Sequence, residues 1–191
     1  ENFDRVSLDL PGRQRELARA VYANGTPVVL VLQSGRPVSA NWENEHLPAI
    51  LEAWFPGEQG GAAVAETLFG LNEPSGRLPI TFPRHVGQVP CHYTRRPGGG
   101  KKYVEMDWQP LWPFGYGLGY TTFAYSELQL SASVIGPEDS ITVTVRVENT
   151  GARPGPAVPP RYIHDAFASV VQPRRPLGGC ARGGLQPGAS R

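Results

Sequence analysis

Pro27-Val28-Val29-Leu30-Val31-Leu32-Gln33 decides the fold, because seven successive residues carry no polar side chain until the last. A continuous apolar run rich in β-branched residues, without alternation, predicts a parallel strand covered on both faces by helices. Just upstream, Gln14 to Ala23 predicts a helix with Leu17, Ala18 and Val21 on one side, closed by Asn24-Gly25. Downstream, Gly35 ends the strand, and a second apolar stretch, Ala49-Ile50-Leu51-Glu52-Ala53-Trp54-Phe55, stops at Pro56-Gly57. Residues 60–70 then predict a helix, with Val64 and Leu68 sharing a face and Gly70 as the stop. Strand and helix alternate, which is an α/β pattern.

Beyond Leu71 the period is lost. Turn signals accumulate, such as Glu73-Pro74-Ser75-Gly76 and the run Gly98-Gly99-Gly100, and predict a long draped connection. After Phe123 the period becomes two. Leu128 and Leu130 alternate with Gln129 and Ser131, and Ile141, Val143, Val145 and Val147 with Thr142, Thr144, Arg146 and Glu148. These predict half-buried antiparallel strands, with Asn149-Thr150-Gly151 as a turn, in a small β-sandwich of the fibronectin type III kind. The division expected is an α/β-sandwich over 1–83, a connecting loop over 84–123 and an incomplete β-sandwich over 124–191.

The chain has 191 residues, 40% of them hydrophobic, enough for a packed core. Its net charge of +1 gives no field that argues for nucleic acid or an anionic membrane surface. No apolar run approaches the roughly 20 residues of a membrane-spanning helix. Cys91 and Cys180 lie far apart without CxxC spacing and are expected as free thiols, and His46, His85, His92 and His164 have no ligand spacing. No metal or cofactor is expected. Gly115-Tyr116-Gly117-Leu118-Gly119 lacks the strand before and helix after that a dinucleotide turn needs, and Ser34-Gly35-Arg36-Pro37 is too short for a phosphate-binding loop.

Several separate stretches resemble, in the correct order, the C-terminal α/β-sandwich domain of family 3 glycoside hydrolases. They are Leu10-Pro11-Gly12-Arg13-Gln14, Gly35-Arg36-Pro37, the run from Pro48 to Gly57, that from Pro74 to Pro83, and Pro113-Phe114-Gly115-Tyr116-Gly117-Leu118. Tyr162-Ile163-His164-Asp165 and Gln186-Pro187-Gly188 are similar to the fibronectin type III-like domain that follows in many members. The resemblance implies a retaining, exo-acting β-glycosidase that removes terminal glucose or xylose from an oligosaccharide or β-glycoside. It implies too that the nucleophile lies on an N-terminal (β/α)8 barrel outside this chain, so that both ends are expected to be cut and the chain alone inactive.

Such hydrolysis uses two carboxyl groups, one attacking the anomeric carbon and one protonating the departing oxygen. Glu1-Asn2-Phe3-Asp4-Arg5 matches the family's acid/base stretch just ahead of Leu-Pro-Gly, which implies that Glu1 is the proton donor; Asp4 and Arg5 could orient its loop, but an exposed Asp-Arg pair is more often worth little. Asp107 and Trp108 place a carboxylate beside an aromatic face, a pairing that suits a sugar, and are candidate substrate-binding residues. Trp42, Glu43 and Glu45 precede an apolar strand and are expected to be solvated, not catalytic. Pro159-Pro160 is expected to shorten its strand. Cys180 stands where the family prefers an aromatic, an exchange expected to weaken the core. The other reading is a non-catalytic carbohydrate-binding or scaffolding module.

Overall fold

The computed structural model describes residues 4–95 and 102–191. Glu1 therefore lies outside the described residues. The first unit comprises helix α1 (Gln14–Tyr22), strand β1 (Val29–Leu32), helix α2 (Asn41–His46), strand β2 (Ala49–Glu52) and helix α3 (Gly60–Leu68). β1 and β2 pair in parallel, Val29 opposite Ala49 and Leu32 opposite Glu52.

The expected helix cover of β1 is incomplete among the described residues. Val29 is exposed and only Leu32 is buried, while α1 buries no residue and leaves Leu17 and Val21 open. What α1 does touch is α2: Tyr22 meets Trp42 edge-on at 5.6 Å, Arg19 lies over the same ring at 5.1 Å, and Trp42 stacks on His46 at 4.6 Å. Aromatic and cation–π contacts thus join these helices in place of the predicted aliphatic stripe. On α3, Leu68 is likewise exposed.

The aperiodic connection supplies much of the first core. Phe82, fully buried, forms an antiparallel bridge with Trp112, and both pack with Leu111, Leu32, Val38 and Ala40. Trp54 meets Phe82 edge-on at 5.8 Å. Segments without periodicity become core because three large rings meet from distant positions, each burying a large apolar area.

The second unit contains β3 (Phe123–Leu130), β4 (Val143–Asn149), β5 (Gly155–Ala157), β6 (Pro160–Tyr162), β7 (Leu177–Cys180) and β8 (Gly183–Leu185). They pair antiparallel as β3–β4, β5–β8 and β6–β7, with Glu148 bridging Ser190 on the outer edge of β4. β4 alternates as expected, its valines turned in and Thr144 and Arg146 out. β3 does not: Leu128 and Leu130 are exposed, beyond a bulge at Glu127. The core here is Val147, Ala157 and Leu185.

Asn149, read as a turn residue, is the buried last residue of β4. Its side chain accepts from Thr121 Oγ1 (2.7 Å) and Gly151 N (3.0 Å) and donates to the carbonyls of Arg153 (2.8 Å) and Leu185 (3.0 Å). Strand β6, beginning at Pro160, is three residues long, as its prolines foretold. Cys180 is exposed, so no core aromatic is missing there, and both cysteines are free.

The two units meet along a tight seam. Tyr120 N donates to Glu73 Oε1 (2.7 Å), Tyr120 OH to the Thr67 carbonyl (2.6 Å), and Arg182 to Ser75 Oγ (2.6 Å). A Cβ at Gly155 would lie 2.7 Å from Thr121 Cγ2 and 3.2 Å from Glu73 Cγ, and one at Gly119 would overlap Glu73 and Pro74. Neither position has room for a side chain.

Candidate functional site

Residues 4–13 carry no helix or strand, so side-chain and loop contacts must hold this segment. Ser39 N donates to the Leu8 carbonyl at 2.8 Å. Arg5 Nη2 donates to the Asp9 carbonyl at 2.6 Å, Ser7 Oγ to Asp9 Oδ2 at 2.9 Å, and Asp9 N back to Ser7 Oγ at 3.1 Å. Arg5 thus ties the start of the loop to Asp9.

Arg15, on the first turn of α1, gathers these contacts. Its Nη2 donates to Asp9 Oδ1 (3.2 Å) and to the Ser39 carbonyl (3.0 Å), and its Nε to Glu43 Oε1 (3.1 Å). Partial burial works against its charge, but Glu43 and Asp9 outweigh that and hold the guanidinium above its ordinary range. Glu43 is fully buried, which overturns the expectation that it is solvated; Glu45 remains exposed. A buried carboxylate is tolerable because Arg15, 28 residues away, faces it. Glu43 Oε2 has no partner among the described residues.

From Ser39 the contacts continue into the connection. Ser39 Oγ donates to the Pro83 carbonyl (3.0 Å), Asn41 Nδ2 to that of Arg84 (2.7 Å), and Trp112 Nε1 to Asn44 Oδ1 (3.0 Å). Arg84 N donates to Gln88 Oε1 (2.6 Å), and Gln88 Nε2 to the Trp108 carbonyl (3.1 Å). One polar chain therefore runs from the loop after Glu1 to Trp108.

Trp108 lines an open cavity of about 690 Å³ with Tyr93, Arg95, Tyr103 and Cys91. The residue is 45% exposed, with the Arg95 guanidinium 4.7 Å from the centroid of its ring. Asp107 is exposed, and its Oδ1 accepts from Gln109 N at 3.0 Å, closing a turn. It is not among the described lining residues of the cavity. Burial pushes the Cys91 thiol up against the opposing pull of Arg95.

A carboxyl missed by motif reading stands at the C-terminal end of β2. Glu52 Oε1 accepts from Trp54 N at 3.0 Å, in a turn that holds Trp54 in the left-handed region at φ 52°. Glu52 Oε2 is shut off from solvent with no partner among the described residues, and burial raises this carboxyl to about 7, the Trp54 N–H opposing. No group of three or more His, Cys, Asp or Glu among the described residues could hold a metal ion.

The model of the glycosyl hydrolase family 3 C-terminal domain matches residues 1–120. A β-xylosidase of Formosa agariphila is 45% identical over all of this chain and 27% of its own length. A periplasmic β-glucosidase of Salmonella typhimurium is 43% identical over 98% of this chain and 26% of its own. A β-glucosidase structure from Erythrobacter marinus superposes with a TM-score of 0.95 at 46% identity, covering 98% of this chain and 25% of that one. A β-glucosidase from Listeria innocua, solved with glucose, gives 0.85 at 30% identity over 97% of this chain and 27% of that one. The chain spans about a quarter of the length of the relatives it matches.

Proposed function

This chain belongs to glycosyl hydrolase family 3, its residues 1–120 being the C-terminal domain, and on that premise we propose that it forms the acid/base side of a retaining β-glycosidase cleft. The substrate is a carbohydrate with a terminal β-linked glucose or xylose. The nucleophile comes from an N-terminal barrel of the full-length protein, so the isolated chain turns over no aryl β-glycoside. Glu1 protonates the leaving oxygen and then activates water. Trp108 offers its exposed face to a sugar ring at the cleft, with Asp107 fixing the turn that presents it. Residues 124–191 are a fibronectin type III-like unit, 84–123 the connection and 1–83 the α/β-sandwich.

The observation that carries this reading is the agreement of chain and relatives along 97% of its length with a β-glucosidase solved with glucose. The match of Glu1-Asn2-Phe3-Asp4-Arg5 to the family's acid/base stretch supports the catalytic role of a carboxyl that must reach the departing oxygen within hydrogen-bond distance. The test is Glu1→Ala in the full-length protein. Substrates with good leaving groups need little protonation, so formation of the glycosyl-enzyme suffers least for dinitrophenyl glycosides and most for disaccharides. Added azide, which needs no general base, restores turnover and yields the glycosyl azide. Equal loss on all leaving groups, with no response to azide, would place the acid/base elsewhere.

A further inference from the structure

We infer that the open cavity at Trp108 takes an acidic carbohydrate, a uronic acid residue, with Arg95 recognising its carboxylate; this rests on the carbohydrate reading of Trp108. From Pro74 to Val104 the sequence holds six Arg or Lys and two His but no Asp or Glu, although acids and bases nearly balance in the whole chain. Folding brings part of that excess to one place. Arg84, His92 and Arg95 line the cavity, and no Asp or Glu is among its described lining residues. Asp107, the acid nearest to Trp108 in sequence, has its Oδ1 turned to Gln109 N. Neither Arg84 nor Arg95 enters an ion pair among the described residues. Unpaired charge of one sign along a concave wall focuses its field on whatever enters, and a neutral sugar makes no use of that field.

Arg95 is set up to meet a carboxylate. Its guanidinium lies over the Trp108 ring, a contact that uses the flat face of the cation and leaves the in-plane N–H donors, whose fork matches two carboxylate oxygens. Among the described residues that fork donates to no protein acceptor. Its main chain is held from the second unit, Arg174 N donating to the Arg95 carbonyl at 3.1 Å. The charge is felt on the cavity wall: burial pushes the Cys91 thiol up, and Arg95 works against it. Arg84 has another part, its Nε donating to the Gln109 carbonyl at 3.2 Å and so tying the two sides of the wall. The surface for a sugar ring is equally fixed. Tyr93 stacks on Phe114 at 4.0 Å, and Tyr103 OH donates to the Gly87 carbonyl at 2.8 Å, so both rings stand ready beside Trp108. At about 690 Å³ the cavity falls within the roughly 300–1,000 Å³ of small-molecule sites.

Titration calorimetry of the full-length protein with D-glucuronate, D-glucose and benzoate tests this, in wild type, Arg95→Gln and Trp108→Ala. Binding of these probes anywhere else cancels in the comparison of wild type with variant. Arg95→Gln is expected to weaken glucuronate by roughly tenfold, the loss of a charge-assisted hydrogen bond, and to leave glucose within about twofold. Added salt should weaken glucuronate in wild type more than in that variant. Trp108→Ala should weaken both sugars. Arg95 is exposed, so its replacement should fold; if it does not, Arg95→Lys decides, since it keeps the charge without the planar fork and should still weaken glucuronate alone. Glucuronate bound equally by wild type and the Arg95 variant overturns the inference, and so does benzoate bound as tightly as glucuronate, because the sugar ring would then contribute nothing. Trp108→Ala separates the two levels. If it weakens glucose while Arg95 has no effect, only the preference for an acid falls; if it changes neither sugar, the carbohydrate reading of Trp108 falls with it.

Discussion

Replacing Glu52 by Gln should stabilise this chain at alkaline pH and leave it unchanged at acid pH. The carboxyl sits at the end of β2 with Oε2 closed off and unpartnered, and burial moves it from an ordinary 4.5 to about 7. A folded-state value above the unfolded one means that the fold prefers the protonated side chain. The associated stability is complete below about 4.5, fades between there and about 7, and is absent above. At about 1.4 kcal/mol for each pH unit the full difference would be about 3 kcal/mol, but the residue is only half-buried, so water screens it to about 1–2 kcal/mol. Glutamine mimics the protonated form and can keep the bond from Trp54 N. Urea unfolding of wild type and variant at pH 4.5 and pH 8.5 gives two differences in midpoint, in which the titration of every other group cancels. The variant should gain about 1–2 kcal/mol at pH 8.5 and nothing at pH 4.5. A difference independent of pH, or one larger in acid, would refute the buried-carboxyl argument.

Asn149→Ala removes four hydrogen bonds and strands Thr121 Oγ1, Gly151 N and the carbonyls of Arg153 and Leu185, so urea unfolding should report a loss of about 3 kcal/mol or more. Amide exchange should be slower across Val28 to Leu32 than across Ile141 to Val147, because the first core gathers six buried residues and the second three; the reverse order would contradict this.

The parallel pair was readable because Val28 to Leu32 and Ala49 to Leu51 have few other uses for so many contiguous apolar side chains. Helix α1 was readable by period, but its partner was not, since a stripe of Leu17, Ala18 and Val21 carries no word that Tyr22 and Arg19 meet Trp42 instead. The core role of Phe82, Leu111 and Trp112 has no local signature: each lies in an aperiodic stretch, and only tertiary closure brings them together. Glu43 and Asn149 were misread for the same reason. Their partners, Arg15 and Leu185, are 28 and 36 residues away, and a polar side chain without its partner in view reads as surface. The proposal for Glu1 rests on resemblance, since a single carboxylate in a motif has no chemistry until its loop is placed. Glu52 was hidden inside an apolar run.

The seam at Gly119 and Gly155 has a meaning for descent. Because a methyl group at Gly155 would strike Thr121 and Glu73 across the boundary, a substitution there cannot be absorbed within one unit; its counterpart on the other side must change too. A gene exchange that replaced residues 124–191 with those of a distant relative would need to bring a glycine at 155 and a side chain compatible with Thr121. The junction at Gly155 thus limits which second units this first unit can accept.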